Sequence, residues 1–253
     1  MPRQARQQSQ SGIYHLILRG INKQVIFEDD EDRDRFMWCL QYYKELSQFK
    51  MYGYCLMNNH IHLLIKEGKE TIAKIMKRIG VSYISWFNGK YGRCGHLFQD
   101  RFKSEAVESD EQFLIVLRYI HQNPIKTGEV KKIATYQWSS YQEYLGENRL
   151  LDSDFAMGIF SLEPEIAAHR FEIFMNQEAE DICVMVHGIY KLTDQEAKFA
   201  IQKAAKITIP TELQTMEKGK RDEIIRKIKQ INGITTRQIA RLTGITQSVI
   251  ARK

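Results

Sequence analysis

The chain has 253 residues, 43% of them hydrophobic, so it can bury a core as one large domain or as a larger domain with a small module. No run of about 18 apolar residues is present, which excludes a membrane-spanning helix. The N-terminus is basic and polar and has no apolar stretch of the kind found in secretory signals, so we expect the protein to stay in the cytosol.

The net charge of +6 is distributed unevenly along the chain. Residues 1–147 carry +4, residues 148–215 carry −5 and residues 216–253 carry +7. Two basic segments around an acidic one are typical of a protein that contacts a polyanion at two places. The four cysteines form no CxxC pair, which favours reduced thiols over a metal or redox motif; they are Cys39, Cys55, Cys94 and Cys183.

The first half of the chain alternates short apolar runs with helical periodicities. A basic arm over 1–11 precedes a strand over 13–18, a helix that starts among the acidic residues 29–32, and two strands over 51–57 and 60–66. Asn58-Asn59 is a turn signal, so these two strands are predicted to form an antiparallel hairpin.

The pattern continues with further elements in the same order. A helix is predicted over 71–88, an extended piece over 103–107, and a helix from Ser109 or Asp110 to Asn123, where Pro124 stops it. The whole order predicts an α+β domain in which helices cover one side of an antiparallel sheet.

The second half divides into an acidic and a basic part. Residues 148–215 are predicted to be a helical connector between a domain over 1–147 and a module over 216–253. In that module an amphipathic helix over 222–231 is broken at Gly233, and two short helices follow with a turn at 243–245. This is the pattern of a helix-turn-helix, whose second helix enters the major groove of DNA. The alternative is a basic helical hairpin packed on the first domain.

A His-apolar-His motif lies on the predicted strand 60–66. His60 and His62 are two residues apart, so their side chains point to the same face and can bind one divalent ion, while Ile61 points into the core. Two ligands leave a metal under-coordinated, so a third must come from elsewhere. The alternative is a pair of surface histidines on an edge strand.

A tyrosine and an amide share one face of the predicted helix that ends before Pro124. Tyr119 and Asn123 are four residues apart. Tyrosine can act as a covalent nucleophile, and an amide oxygen is a neutral ligand suited to Mg²⁺ or Mn²⁺. The alternative is that Tyr119 only packs and that Asn123 only ends the helix.

The combination and order of these motifs resemble those of the HUH-type single-tyrosine transposases, in particular the branch of REP-associated tyrosine transposases. The most specific matches are MNNHIHLL (57–64) and RYIHQNPIKTG (118–128). The matching segments cover residues 12–146 almost continuously; they are 12–27, 52–66, 95–107, 118–130 and 138–146. The resemblance implies a ferredoxin-like catalytic core over 1–147, an all-α region after it, and a cytoplasmic, nucleoid-associated bacterial enzyme.

The resemblance also implies roles for individual residues. His60, His62 and Asn123 hold Mg²⁺ or Mn²⁺, and some relatives have glutamine at the position of Asn123. Tyr119 attacks single-stranded or hairpin DNA and forms a 5′-phosphotyrosine. We interpret His15 as a core residue or a neighbour of the metal ligands, and His96 and His121 as surface or loop groups.

Basic and polar side chains at both ends of the chain are predicted to contact DNA, although a solvated surface is the alternative for each one. Those of the first domain are Arg19, Arg101, Lys103, Arg118 and Lys126, and those of the C-terminal module, directed at duplex DNA, are Arg237, Arg241, Gln247, Ser248 and Arg252. The protein is expected to act as a monomer or homodimer. The first rival is a domesticated DNA-binding regulator without catalysis, and the second is a replication initiator or relaxase-like nickase.

Overall fold

The computed structural model describes residues 8–146, 149–178, 194–231 and 234–252. The chain divides into two compact units, Met1–Asp181 and Ile182–Lys253. The predicted connector 148–215 therefore contributes residues to both units, and the predicted three-part division stays a prediction. Most of the predicted basic arm, Cys183 and the helix break at Gly233 lie outside the described residues.

The first unit is built on a four-stranded antiparallel sheet with the order β2-β3-β1-β4. Its strands are β1 (Ile13–Arg19), β2 (Lys50–Met57), β3 (His60–Lys66) and β4 (Lys103–Ala106). The predicted hairpin at Asn58-Asn59 joins β2 to β3. The predicted α+β class with an antiparallel sheet is confirmed.

Five α-helices of the first unit are described: α1 (Asp30–Ser47), α2 (Ile72–Lys90), α3 (Asp110–Lys126), α4 (Ser153–Phe160) and α5 (Pro164–Asn176). Side chains cap the first turns of α1 and α3 because the first backbone N–H groups of a helix have no partner within it. The Asp29 carboxylate accepts from the Asp32 N–H, and the Ser109 hydroxyl accepts from the Gln112 N–H.

Both faces of the sheet are covered, which corrects the prediction of helices on one side only. The five consecutive residues of β3 from Ile61 to Ile65 are all buried, although neighbouring side chains point to opposite faces. Helix α3 lies on the face that carries His60 and His62, since a Cβ atom added at Gly53 would meet Leu117 of α3 at 2.8 Å. Only the outermost positions of β3, His60 and Lys66, are not fully buried.

Helix α3 does not stop at Pro124 as predicted but continues to Lys126. A proline has no N–H to donate and crowds the carbonyl four residues before it, but so close to the C-terminal end these costs do not end the helix. Thr127 supports this last turn, because its N–H and its hydroxyl both donate to the Asn123 carbonyl, at 3.0 and 3.1 Å. The extra turn keeps Lys126 on the same helix as Tyr119.

A buried carboxylate ties the segment after residue 148 to the sheet. Glu143 accepts from the Tyr54 hydroxyl at 2.6 Å and from the N–H groups of Arg149, Leu150 and Leu151 at 2.9, 2.8 and 3.2 Å. These charge-assisted bonds satisfy donors that would otherwise be left without an acceptor.

Replacing Glu143 by alanine is expected to lower the free energy of unfolding by about 3 kcal/mol, because a buried group that loses a charged partner keeps its desolvation cost. Urea denaturation of the purified protein measures the change. Glu45→Ala on the exposed side of α1 is the control and should change stability by less than about 0.5 kcal/mol. Equal losses for the two variants would contradict this role of Glu143.

The second unit packs short helices around isoleucine and leucine side chains. The helices are α6 (Asp194–Ala205), α7 (Lys218–Lys229), α8 (Thr236–Thr243) and α9 (Gln247–Ala251), with a 3₁₀ turn over Pro210–Gln214. Helix α8 ends at Gly244, whose φ of +73° is a left-handed conformation that glycine adopts without strain. Two short helices thus flank the predicted turn, and their role as a DNA-binding helix-turn-helix stays a prediction.

No helix among the described residues is both long enough and apolar enough to cross a membrane.

Candidate active site on the histidine face of the sheet

Two imidazoles lie side by side on one face of the sheet. Because β3 is extended, His60 and His62 project to the same side, and their ring centroids are 5.0 Å apart. His62 is 2% exposed, whereas His60, at the end of the strand, is partly exposed. The pair therefore forms the inner and outer ends of one small polar site in an otherwise apolar layer.

Helix α3 brings Tyr119 and Asn123 against these histidines. The Asn123 amide oxygen lies 3.1 Å from His60 Nε2, and its amide nitrogen lies 3.2 Å from His62 Nε2 and donates to the Tyr119 hydroxyl at 3.1 Å. The Tyr119 and His62 ring centroids are 5.5 Å apart. All four side chains meet within the one chain that the structure describes.

In each imidazole, the nitrogen that faces away from Asn123 is already engaged. His60 Nδ1 lies 2.6 Å from the Asn59 side-chain oxygen, and His62 Nδ1 lies 3.0 Å from Nε2 of His15. Both Nε2 atoms therefore turn towards Asn123. Metal-binding histidines have this arrangement, with one nitrogen held by a neighbour and the other directed at the ion.

Burial keeps both imidazoles neutral. It lowers the pKa of His60 to about 4, an effect that the Arg19 charge reinforces and the hydrogen bond to Asn123 opposes. Burial also takes the pKa of His62 well below its usual value, and the nearby His60, His15 and Arg19 act in the same direction. A neutral imidazole has a free lone pair, which is the form that binds a metal.

The donor set fits a divalent cation. Two Nε2 atoms and one amide oxygen converge, and both rings have their other nitrogen held. Within the described ranges, no group of three or more His, Cys, Asp and Glu side chains is arranged to hold a metal ion. The third donor here is an asparagine, which is not one of those four residue types.

Three of the predicted phosphate-binding residues lie near this site. Arg19 is the cross-strand partner of His60, and its Nε atom is buried and has no hydrogen-bond partner in the part of the chain that the structure describes. Lys103 pairs with Ile17, the cross-strand partner of His62, and so projects from the same face of the sheet. The ammonium of Lys126 lies 4.8 Å from the centre of the Tyr119 ring. Arg101 is exposed in the segment before β4.

Arg118 and His121 differ from what the sequence led us to expect. Arg118 is 8% exposed, and its guanidinium stacks on Phe174 of α5 at 4.1 Å, so we do not include it in the proposed DNA surface. His121 was predicted at the surface but is fully buried. Its Nε2 lies 2.8 Å from the Ser140 hydroxyl, and burial lowers its pKa to about 3. Both side chains hold α3 against the rest of the first unit.

The predicted DNA contacts of the second unit are all exposed, and they lie on or beside α8 and α9: Arg237, Arg241, Gln247, Ser248 and Arg252. Arg241 forms an ion pair with Asp194, and Gln247 donates to the Thr236 hydroxyl at 3.4 Å. From Ile224 to Arg252 the sequence contains basic residues and no Asp or Glu. This part of the unit therefore has a positive surface that suits a polyanion.

Comparison with known proteins supports the interpretation of the first unit. Residues 8–123 match the family model described as IS200-like transposase. The REP-associated tyrosine transposase solved with a REP hairpin is similar to this chain, with 17% identity and a TM-score of 0.51, over 58% of this chain and 87% of that one. A candidate transposase from Deinococcus radiodurans R1 has 15% identity and a TM-score of 0.34, over 50% of this chain and 97% of that one. No curated protein matches the sequence.

The family match lies within the first unit and covers less than half of the chain, so it shows that this unit is similar to IS200-like transposases. The likeness to the REP-associated enzyme shows that the two share a fold. The finer assignment to the REP-associated branch stays a prediction.

Sequence reasoning missed one neighbour of the site and described another only in general terms. Asn59, which contacts His60, was interpreted only as a turn residue. His15 was expected in the core or near the ligands, but its contact with His62 was not foreseen, because it depends on the pairing of β1 with β3. A polar residue at the turn and a histidine within an apolar strand are the only sequence signals for these contacts.

Proposed function

We propose that the protein cleaves and rejoins single-stranded DNA through a covalent bond to Tyr119. The observation that carries the proposal is the convergence of His60, His62, Asn123 and Tyr119 within one chain. A protein that only bound DNA would have no use for a tyrosine hydroxyl held by the same amide that contacts both imidazoles. Hairpin DNA is the preferred substrate class, since the REP-associated enzyme with the same fold was solved with a hairpin.

In the proposed reaction the Tyr119 oxygen attacks the phosphorus of a phosphodiester. The bond from phosphorus to the 3′ oxygen breaks, the phenol loses its proton, and the leaving 3′ oxygen takes up a proton. The products are a 5′-phosphotyrosine and a free 3′-OH. The reverse reaction, in which a 3′-OH attacks the phosphotyrosine, joins two strands without ATP because the bond energy is kept in the ester.

The side chains around the tyrosine have separate tasks. His60, His62 and Asn123 would hold Mg²⁺ or Mn²⁺, which when bound polarises a phosphate oxygen as a Lewis acid. Arg19 and Lys126 would contact the oxygens of the same phosphate. Asn123 also donates to the Tyr119 hydroxyl and so fixes the direction in which the nucleophile points.

Access to Tyr119 requires a rearrangement. The side chain is 5% exposed, and Lys126 lies over its ring. We expect DNA binding to draw Lys126 towards a phosphate and uncover the hydroxyl. The same burial is the observation that favours the second candidate function, a domesticated protein that binds DNA without cutting it.

Incubation with labelled hairpin oligonucleotides separates the two functions. The proposed enzyme forms a covalent protein–DNA adduct, stable in denaturing gels, with Mn²⁺ or Mg²⁺ and none with EDTA. Binding to the hairpins without an adduct at any tested hairpin or metal would favour the DNA-binding protein.

We further propose that the second unit binds duplex DNA through α8 and α9. Its exposed basic residues follow a two-helix pattern typical of major-groove recognition. Helix α9 has five residues, so its contacts would involve few bases, and most of the affinity would come from phosphates.

Replacing both Arg237 and Arg252 by glutamine is expected to weaken duplex binding and to reduce the slope of log K against log salt by about 2, since each phosphate contact contributes about 0.9. Titrations over a range of salt concentrations measure the slope. The matched control is Lys198→Gln with Lys203→Gln, which makes the same change of charge on α6 of the same unit. An equal reduction in both double variants would contradict a specific role for α8 and α9.

A further inference from the structure

We infer that His15 and Glu105 are positioning residues that fix the orientation and the tautomer of His62 for metal binding. The inference deepens the proposed function, because it rests on His62 being a metal ligand. It assigns a task to two side chains on strands β1 and β4, which lie neither on the turn between β2 and β3 nor on α3.

Three strands bring the participants into one row. His15 is on β1, Glu105 is its cross-strand partner on β4, and His62 is on β3 on the other side of β1. The three side chains share one face of the sheet. His15 is fully buried, and its ring lies nearly parallel to that of His62, with 5.3 Å between centroids and 20° between planes. Neither ring can turn without disturbing the other.

One hydrogen-bond contact and one longer electrostatic contact link the three side chains of the row. His15 Nε2 lies 3.0 Å from His62 Nδ1, and His15 Nδ1 lies 3.8 Å from the Glu105 carboxylate. At a nitrogen–nitrogen distance of 3.0 Å one atom carries the proton and the other accepts it. This distance alone allows either direction, but the Asn123 amide nitrogen, which can only donate, lies 3.2 Å from His62 Nε2 and favours the proton on His62 Nδ1.

The Glu105 carboxylate favours the same direction from the other end of the row. A carboxylate favours a proton on the nitrogen that faces it, so it favours the His15 tautomer with the proton on Nδ1. His15 Nε2 is then an acceptor, and His62 must carry its proton on Nδ1. The lone pair of His62 is consequently on Nε2, the atom that faces Asn123 at 3.2 Å. The row thus presents His62 in the only tautomer that can bind a metal at this site.

A carboxylate behind a histidine commonly tunes metal sites in proteins, and loss of such an outer partner typically weakens metal binding 10- to 100-fold. Here a second histidine stands between the carboxylate and the ligand. A side chain at position 15 that merely filled space would leave the tautomer of His62 to the contact with Asn123 alone. This difference makes the inference testable without any DNA.

The experiment uses the full-length protein and two readouts. Nitrogen-15 NMR of the histidine rings reports the tautomer of His62 in metal-free protein, and calorimetry with Mn²⁺ reports metal affinity. In the wild type we expect the proton of His62 on Nδ1. In His15→Leu we expect a mixture of tautomers and Mn²⁺ binding about 10- to 100-fold weaker. His15→Gln, whose side-chain oxygen can accept from Nδ1, should recover most of the affinity.

Two further variants separate positioning from stability. Leu16→Ala removes a fully buried side chain from the opposite face of β1, so it should destabilise the protein without changing the tautomer or the affinity. Glu105→Gln keeps the shape and removes the charge, so it should shift the tautomer in the same direction as His15→Leu; it also provides the test if His15→Leu does not fold. An unchanged His62 tautomer in both His15→Leu and Glu105→Gln would overturn the inference. A loss of Mn²⁺ affinity in Leu16→Ala equal to that in His15→Leu would also overturn it.

The outcome is distinguishable from a failure of the proposed function. If the wild type forms no adduct with hairpin DNA, the proposed cleavage reaction fails, while the tautomer of His62 still decides the role of His15. If adducts form but His15→Leu retains both the tautomer and the affinity, the proposed function stands and the inference falls.

Discussion

Replacing Tyr119 by phenylalanine is expected to abolish the covalent protein–DNA adduct while leaving hairpin binding unchanged. The hydroxyl oxygen is the only non-hydrogen atom lost, and it is the atom that would form the bond to phosphorus. Removal of a covalent nucleophile typically costs about 10⁴-fold or more in rate. The fold should tolerate the change, because the hydroxyl contributes one hydrogen bond from Asn123 while the ring keeps its packing against His62.

The matched control is Tyr14→Phe. Tyr14 is also buried, but it lies on the opposite face of the sheet, and its hydroxyl accepts from the Ser9 N–H at 2.9 Å. Adduct formation should stay at the wild-type level in this variant, and gel-shift titrations should give equal hairpin affinity for all three proteins. An adduct with undiminished yield in Tyr119→Phe would mean that another residue is the nucleophile.

Replacing His60 by alanine is the second change with a large expected effect. It removes one of two imidazole ligands, so Mn²⁺ affinity should fall by more than the roughly 10- to 100-fold that is typical for loss of an outer partner. Adduct formation should fall by at least about 10²-fold, because the phosphate would lose its Lewis acid. His60 is partly exposed at the strand end, so its truncation leaves less of a cavity than that of His62 would.

His96→Ala provides the comparison for that experiment. His96 is an exposed histidine of the same unit and lies before β4 in the chain. The His96→Ala variant should bind Mn²⁺ and form adducts like the wild type. Excess Mn²⁺ that restores His60→Ala to part of its activity would support loss of affinity as the cause. A wild-type Mn²⁺ affinity in His60→Ala would exclude His60 as a ligand.

The main elements of the site could be predicted because their signals are local. The two-residue spacing of His60 and His62 fixes a shared face on any strand, and the four-residue spacing of Tyr119 and Asn123 fixes a shared face on any helix. The bounds of β3 were predicted correctly as 60–66. The family resemblance then joined these two faces, which periodicity alone could not do.

The remaining features depend on contacts between distant residues. Pairing of β1 with β3 and β4 decides that His15 meets His62 and Glu105, and strand register cannot be read from one strand alone. The burial of His121 depends on aromatic rings that lie 20 or more residues further along the chain. Their ring centroids are 5.7 to 6.0 Å from that of His121, in edge-to-face contacts; the residues are Tyr141, Tyr144 and Phe171.

The sequence could not predict that both faces of the sheet are covered, and the reason is related. A continuous apolar run such as Ile61–Ile65 is equally compatible with a buried strand and with part of a buried helix. Arg118 shows the limit for charged residues, since its stem packs against α5 and only the tertiary structure reveals that Phe174 lies under its guanidinium.

Mass spectrometry of the covalent adduct tests the central claim most directly. The wild-type protein would be reacted with a hairpin oligonucleotide in Mn²⁺, digested with nuclease and protease, and searched for a peptide that carries a nucleotide. We predict a 5′-phosphate ester on Tyr119. A nucleotide on any other residue would contradict the assignment of the nucleophile, and a hairpin that is cut without any modified peptide would contradict covalent catalysis.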